Sequence, residues 1–358
     1  MIEYENLKIL NKSFVDEFRK SFDIFLDSGH YILGTSVKKF EQEFAEYTGF
    51  KHCVGVSSGL DALRLSLEVY KFPKGSEVLV PSNTYIATIL AIIHAGLIPV
   101  LVEPDIETYN IDDKDQIEKA ITNKTVAIMP VHLYGRPCDN KVISYISNKY
   151  NLKIIEDCAQ SHGSETGSNI CCYSFYPTKN LGCLGDGGAI VLNDDVLFDD
   201  LIKARNYGRT GRYENVSIGW NNRLDEIQAG FLSVKLPFLD KINAHKKNLA
   251  KIYDGNLSDN VVKPKFHEKH VYHIYNIRTP FRDKLKQFLS ENCVFTEIHY
   301  PIPPHQQEAL KGYFENEYLI STEIHSTTLS LPISYGHSEE DILKVCSLIN
   351  DFFLENPY

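Results

Sequence analysis

One lysine of this chain stands in a glycine-rich block where its neighbours suit covalent chemistry. The block reads SFYPTKNLGCLGDGG, and its Lys179 follows an apolar run that ends in Phe175-Tyr176-Pro177. Burial destabilises an ammonium group and lowers its pKa, which turns a lysine into a nucleophile that forms imines with carbonyl compounds. The block by itself favours a glycine-rich surface turn with a solvated lysine, so any chemical role for Lys179 depends on the rest of the chain.

A turn of small residues before a predicted helix offers an anion site. Ser57-Ser58-Gly59-Leu60 follows a predicted strand at residues 53–56 and opens a helix over residues 59–70. Free backbone N–H groups at a helix start bind anions, and glycine lets a phosphate approach the backbone. Serine caps followed by glycine are common, so this turn by itself is weak evidence for a phosphate site.

Three other residues at predicted strand ends are suited to a cofactor site. Asp157 follows a buried strand, where a carboxylate must be hydrogen-bonded or paired with a positive charge. It either caps a helix, takes part in a structural ion pair, or keeps the pyridine nitrogen of a cofactor protonated. The Ser174 hydroxyl either closes a phosphate site or bonds within its own turn. Tyr85 either stacks on a planar ring or packs in the core. Together with Lys179 and the turn at Gly59, these residues suggest pyridoxal phosphate.

The order of helices and strands predicts that these strand ends meet. Short apolar strands alternate with helix-length patterns, which is typical of a mostly parallel sheet covered by helices and binding ligands beyond the carboxyl ends of its strands. The predicted strands are residues 53–56, 77–80, 98–102, 125–129, 152–155, 171–175 and 189–192, after two helices (13–27 and 36–47) that serines should cap. The alternation of strands and helices ends at Pro237, so we expect a large domain over residues 1–237 and a smaller C-terminal α/β domain over residues 238–358. In the smaller domain we expect helices at 238–257 and 282–292 and two further elements at 272–278 and 293–300.

Composition excludes several classes of function. The formal net charge of −10 disfavours a nucleic-acid surface, so a phosphorylated ligand needs a local anion site. The most apolar stretch, residues 86–102, is too short and too interrupted for a membrane span. The eight cysteines form no CxxC pair and the 13 histidines no HExxH motif, so we expect no metal site. The polar start MIEYENLKILNKS is not a signal peptide, which favours a cytoplasmic protein.

At this point the chain resembles a known family, the DegT/DnrJ/EryC1/StrS aminotransferases of fold-type I, which aminate nucleotide-linked keto-sugars with pyridoxal 5'-phosphate. The likeness covers nearly the whole chain, and the lysine block is its most specific part. The matching segments include GVSSGLDALRLSL, VLVPSNTYIAT, PVHLYGRP, EDCAQSHG, SFYPTKNLGCLGDGGAI, IGWNNRLDEIQAGFLSVKLPFLD and HYPIPPHQQ.

The resemblance implies roles for four residues around the cofactor ring. Lys179 would be the Schiff-base lysine and the proton shuttle, and Asp157 would pair with the pyridine nitrogen. Gln160 would lie near the ring hydroxyl, and Tyr85 would stack on the ring.

The resemblance also implies a phosphate site and a homodimer. Ser174 and the N–H groups of Gly59 and Leu60 would hold the phosphate. Many relatives carry threonine where Leu60 stands, so here that contact can come only from the backbone. Asn221, in GWNNR, is similar to the family asparagine that reaches the phosphate of the neighbouring subunit, although the sequence alone supports only a loop or cap residue. A site shared in this way makes a homodimer the smallest active unit.

The likeness extends to the substrate. It is strongest to the subgroup that transfers the amino group of glutamate to the C3 keto group of dTDP-linked 6-deoxyhexoses. This likeness implies that Tyr176, His299 and Tyr300 lie near the sugar. His299 and Tyr300 could equally mark the end of a strand before a rigid proline turn. The alternatives are a 4-keto-sugar aminotransferase using a UDP or GDP sugar, or a non-catalytic cofactor-binding regulator. Lys179 argues against the related 3-dehydratases, which lack the lysine. The segment of residues 164–173 is several residues shorter than the corresponding segment of relatives, and it borders the lysine loop.

Overall fold

The centre of the computed structural model, which describes residues 1–356, is a sheet built from eight short strands. Two four-stranded parts have the orders β3-β2-β4-β5 and β1-β8-β7-β6, and only Ile155 separates β5 from β6, so the parts continue one another. The strands are β1 (His52–Val56), β2 (Glu77–Pro81), β3 (Ile98–Val102), β4 (Thr125–Ile128), β5 (Lys153–Ile154), β6 (Glu156–Asp157), β7 (Ile170–Ser174) and β8 (Gly188–Leu192).

The sheet is mostly parallel. All strand pairs are parallel except those of β8, which runs antiparallel to both β1 and β7. Strands such as VLVP and GAIVL are apolar and buried on both faces, as expected for a sheet covered by helices. The prediction of a mostly parallel α/β fold is therefore confirmed.

Helices cover both faces of this sheet and continue beyond it. They are α1 (Leu7–Leu10), α2 (Val15–Ser28), α3 (Thr35–Thr48), α4 (Gly59–Glu68), α5 (Ile86–His94), α6 (Lys114–Ala120), α7 (Asn140–Tyr150), α8 (Asp195–Ala204), α9 (Glu226–Lys235), α10 (Leu239–Asn256), α11 (Arg282–Glu291), α12 (Leu319–Thr327) and α13 (Glu339–Glu355), with short 3-10 turns at Lys12–Phe14, Leu133–Gly135, Leu236–Phe238, Pro304–Gln306 and Glu308–Leu310. No helix within residues 1–356 combines the length and the apolar character that crossing a membrane requires.

A second core lies around a small antiparallel pair of strands, β9 (Tyr275–Arg278) and β10 (Thr328–Leu331). Helices α10, α11 and α13 pack on it, and Ile2 from the start of the chain joins the same core. The element predicted at residues 293–300 is not a regular helix or strand: this segment forms only isolated bridges, of Val294 with Ile2 and of Glu297 with Ser330. Its bridging partners come from both ends of the chain, so no local pattern could show them.

The predicted serine caps of the first two helices are also wrong. Helix α2 begins after Phe14 without a side-chain cap. At the start of α3, the buried carboxylate of Glu226, on α9, accepts hydrogen bonds from the N–H groups of Gly34 (2.8 Å), Ser36 and Val37 (3.2 Å). A side chain 190 residues away in sequence from Ser36 thus satisfies the free N–H groups that a local serine was expected to satisfy.

Candidate active site

A cavity of about 410 Å³ opens at the carboxyl ends of β1, β6 and β7. Both cores contribute to its walls, because His273, His299 and Tyr300 line it together with residues from the large sheet. All predicted site residues except Asn221 line this cavity: Gly59, Leu60, Tyr85, Asp157, Gln160, Ser174, Tyr176, Lys179, His299 and Tyr300.

The start of α4 forms one end of the cavity. Ser58 caps this helix, since its Oγ accepts a hydrogen bond from the Asp61 N–H at 3.1 Å. The N–H groups of Gly59 and Leu60 have no acceptor within residues 1–356. A Cβ atom on Gly59 would lie 2.7 Å from the Cβ of Ser174, so only glycine lets that serine lie against the helix start. Two free N–H groups, a hydroxyl and the positive end of a helix fit a phosphate.

Asp157 ends β6 on the floor of the cavity. Its Oδ1 accepts a hydrogen bond from the Ala159 N–H at 3.0 Å, and its Oδ2 accepts one from the Thr88 hydroxyl at 2.9 Å. Burial raises the pKa of this carboxyl group, whereas both hydrogen bonds and the nearby Lys179 lower it. The carboxylate therefore depends on these donors for its charge, and it lines the cavity.

Lys179 lies in the cavity rather than on a solvated turn. Its own N–H donates to the Tyr176 carbonyl at 2.8 Å, and the loop is tight: a Cβ on Gly182 would lie 2.4 Å from the Pro177 oxygen. Burial lowers the pKa of Lys179 to about 8, and the Asp157 carboxylate opposes that shift. About a tenth of this lysine is thus the neutral, nucleophilic amine at pH 7, far more than for an ordinary lysine.

Gln160 is held by two hydrogen bonds beside the floor of the cavity. Its Oε1 accepts from the backbone N–H of Tyr134 at 2.6 Å, and its Nε2 donates to the Tyr300 hydroxyl at 3.0 Å. The Tyr300 ring in turn lies against Tyr85, with 5.0 Å between the ring centroids. These contacts join the two predicted tyrosines to the floor of the same cavity.

The mouth of the cavity carries aromatic and polar side chains. Tyr85 and Tyr176 are about half exposed, at 52% and 53%. His299 lies deeper, with its Nδ1 2.9 Å from the Ser330 hydroxyl. Burial, followed by the positive charges of Lys179 and Lys286, lowers the pKa of His299 to about 4, so this imidazole is neutral at pH 7.

Asn221 lies outside this cavity. It forms an isolated bridge with Asn206 and lines a second, polar cavity of about 440 Å³. Asp186 lines both cavities, which places them side by side. The segment before Asn221 is strongly exposed at Tyr213 (87%) and Ile218 (94%). The predicted role of Asn221 therefore needs a second subunit.

The structure adds residues that the sequence did not single out. Thr88 donates to Asp157, and its Oγ1 lies 2.8 Å from that of Thr84. Polar residues four apart at the start of an otherwise apolar helix are a signal that could have pointed to them. The Nε2 of His273 lies 3.4 Å from the Lys179 Nζ, and no motif in VYHIYNI marks this histidine.

One buried group of possible metal ligands lies beside Asp157: His132, Glu156 and Cys158, with ligand atoms within 4.8 Å of one another. The His132 Nδ1 already accepts the Cys138 N–H at 3.0 Å, and its Nε2 lies 3.5 Å from Glu156. Burial raises the pKa of the Cys158 thiol well above its usual value. The geometry therefore describes a close histidine–glutamate pair beside a protonated thiol.

Fold and cavity together define an α/β transferase of fold-type I. The sequence model of the DegT/DnrJ/EryC1/StrS aminotransferase family matches residues 12–350. The chain belongs to this family, as the resemblance predicted.

Known relatives match over almost their whole length. The dTDP-3-amino-3,6-dideoxy-alpha-D-galactopyranose transaminase of Aneurinibacillus thermoaerophilus is 46% identical, over 98% of this chain and 99% of that protein. The structure of S. venezuelae DesV in complex with a ketimine intermediate superposes with a TM-score of 0.95 at 37% identity, covering 98% of each chain. The structure of NtdA from Bacillus subtilis with bound cofactor PMP has a TM-score of 0.92 at 28% identity, covering 98% of this chain and 85% of that one.

Proposed function

We propose that this protein transfers the amino group of glutamate to the C3 keto group of a dTDP-linked 3-keto-6-deoxyhexose, with pyridoxal 5'-phosphate as cofactor. One observation carries the proposal: Lys179, Asp157 and the free N–H groups at Gly59 face one cavity. The Aneurinibacillus relative, whose name gives the same sugar position and nucleotide, supports the choice of substrate.

The residues present fit the cofactor. The N–H groups of Gly59 and Leu60 and the Ser174 hydroxyl would bind the phosphate at the start of α4. Asp157 would accept the ring N–H and hold the proton on the pyridine nitrogen, and Tyr85 would cover the ring. When bound, the protonated cofactor ring acts as an electron sink for the carbanion at the donor carbon.

Lys179 has the position and protonation behaviour of a proton carrier. Its lowered pKa lets the Nζ atom bind and release a proton near neutral pH. The imidazole of His273, whose Nε2 lies 3.4 Å from this atom, is uncharged, because burial lowers its pKa. Lys179 would first hold the cofactor carbonyl and, once displaced by the amino donor, would carry a proton to and from the reacting carbon.

The sugar would bind at the mouth of the cavity. Tyr176, His299 and Tyr300 offer a phenol, a neutral imidazole and a second phenol there. We also propose that residues 1–237 and 238–358 are the two domains, with the cavity at their junction. In a homodimer, Asn221 of one subunit would reach the phosphate in the neighbouring subunit, which accounts for its place outside the cavity.

The half-reaction with glutamate tests the enzyme assignment. Protein loaded with pyridoxal phosphate should convert glutamate to one equivalent of 2-oxoglutarate per site and lose its visible absorbance. Lys179→Ala should show neither the absorbance of covalently held cofactor nor transamination. Near-normal turnover by that variant would overturn the assignment, and a wild-type protein that binds the cofactor but makes no 2-oxoglutarate would be a regulator.

A panel of keto-sugar nucleotides tests the substrate. The aminated protein should react fastest with a dTDP-linked 3-keto-6-deoxyhexose. A preference for a 4-keto sugar carrying UDP or GDP would replace this substrate while leaving the aminotransferase chemistry intact.

A further inference from the structure

A second buried lysine lies behind Lys179. Lys246, on α10, is only 3% exposed. Its Nζ donates to the Asn180 Oδ1 at 2.9 Å and to the His273 carbonyl oxygen at 3.1 Å. Within residues 1–356, no carboxylate lies within 4.0 Å of this ammonium group. Both of its hydrogen-bond acceptors are neutral, and the Glu5 carboxylate acts on it only from beyond ion-pair distance, so burying this charge is costly and the lysine needs an explanation beyond packing.

Both acceptors are direct neighbours of Lys179. Asn180 follows it in the chain, and the ring of His273 meets the Lys179 Nζ at 3.4 Å. The Asn180 Nδ2 also donates to the Asn243 Oδ1 at 2.8 Å and to the carbonyl of Val271 at 3.1 Å. The side chain of Asn180 is thus fixed between α10 and the segment that leads to His273.

We propose that Lys246 is a positioning residue for Lys179: its single ammonium ties the Asn180 side chain, in the cofactor-lysine loop, to the backbone carbonyl of His273 and places a positive charge behind the reactive amine. The inference rests on the proposed function, in which Lys179 holds the cofactor. The tether crosses from the loop after β7 to the second core, so it fixes the loop and the histidine relative to each other. The charge favours the neutral amine, which is the form that attacks a carbonyl group.

Among the other titratable groups that the structure places around Lys179, Asp157 is negatively charged and the histidines are uncharged, so none of them supplies a positive charge. Asp157, from β6, favours the ammonium form of Lys179. Burial lowers the pKa of His162 to about 3 and that of His299 to about 4, so these rings are uncharged at pH 7, as is His273. Burial also lowers the pKa of Lys246 to about 8; Glu5 opposes this shift and Lys179 adds to it. The coupling with Lys179 shows that Lys246 is a buried cation close enough to interact with the reactive amine.

Competitive acetylation of the cofactor-free protein at several pH values, read by peptide mass spectrometry, gives the pKa of Lys179 directly. In Lys246→Met this pKa should rise, and acetylation of Lys179 at pH 7 should slow about tenfold, the change that one pKa unit produces. Lys246→Arg keeps the positive charge and should recover most of the rate.

Lys235→Met is the matched control. Lys235 is 1% exposed, its pKa is also lowered by burial to about 8, and its Nζ donates to the Gly182 carbonyl at 2.8 Å, but it bonds to neither Asn180 nor His273. This variant should change the Lys179 profile less than twofold. A folded Lys246→Met protein with the wild-type Lys179 profile would overturn the inference.

Asn180→Ala keeps the test decisive if Lys246→Met does not fold. It removes one of the two acceptors that hold the ammonium in place. Because the charge is then no longer fixed behind Lys179, acetylation of Lys179 at pH 7 should slow about threefold, or half a pKa unit; no change would contradict the tether. Neither measurement needs glutamate or a sugar. A shifted Lys179 profile in a protein that fails to transaminate would therefore refute the proposed function and leave the role of Lys246 standing.

Discussion

Replacing Thr88 with valine tests whether the charge of Asp157 drives the chemistry. Thr88 is fully buried on α5, and its hydroxyl donates to the Asp157 Oδ2 at 2.9 Å. Valine has nearly the same shape and no donor, so the variant leaves one carboxylate oxygen without this partner. Burial already raises the pKa of Asp157, and losing the donor raises it further.

The expected effect is large enough to measure. A hydrogen bond to a charged group is worth about 1.5–3 kcal/mol, and leaving a buried acceptor unpaired costs a similar amount. If this free energy is lost from the stabilisation that the Asp157 carboxylate gives to the protonated ring, the rate of the glutamate half-reaction falls about 10- to 150-fold. Acid pH should worsen the defect, because protonated Asp157 can no longer accept the ring N–H.

Stopped-flow absorbance with glutamate measures this rate, and Thr84→Val is the matched control. The Thr84 hydroxyl lies 2.8 Å from that of Thr88 and is one hydrogen bond further from Asp157. We expect Thr84→Val to slow the half-reaction less than threefold while Thr88→Val slows it at least tenfold. Equal rates for Thr88→Val and the wild type, with both proteins folded, would refute the role given to Asp157.

Three other results should follow from the geometry. Gly59→Ala places a Cβ 2.7 Å from the Cβ of Ser174, so equilibrium binding of pyridoxal phosphate should weaken at least tenfold; unchanged affinity would contradict the phosphate site. Because the pKa of Lys179 is lowered to about 8, covalent attachment of the cofactor to the apoprotein should speed up about 50-fold from pH 6 to pH 8 and level off above pH 9; a rate still rising steeply at pH 10 would indicate an ordinary lysine. Asn221→Ala and Lys179→Ala should each be inactive, whereas subunit exchange between them should restore about a quarter of the wild-type activity; no recovery, despite exchange shown by mass spectrometry, would argue against a shared site.

Local patterns predicted the large sheet well. The apolar strand at residues 98–102 has the predicted bounds, and the other predicted strands differ by one residue at one or both ends; the two-residue strand β6 was not predicted. Buried parallel strands are short and continuously apolar, so their signal is strong in sequence. The turn at Ser58-Gly59 was equally readable, because a helix start is specified by adjacent residues.

Features that depend on distant residues could not be predicted in this way. Glu226 caps α3 from another helix, and the bridges of residues 293–300 use partners near both ends of the chain. The contacts of Lys179 with His273 and of Lys246 with Asn180 join the two cores. The residues next to His273 and Lys246 in sequence form no recognisable motif, because these contacts exist only once the two cores have packed against each other.

Glutamate labelled with ¹⁵N tests the central claim most directly. The loaded protein is incubated with labelled glutamate and a dTDP-linked 3-keto-6-deoxyhexose, and the sugar product is examined by NMR. We predict that 2-oxoglutarate accumulates in equal amount with a dTDP-amino sugar whose ¹⁵N is bonded to C3. If the ¹⁵N stayed in glutamate, or if the sugar remained unaminated, the account of this protein as a nucleotide-sugar aminotransferase would be contradicted.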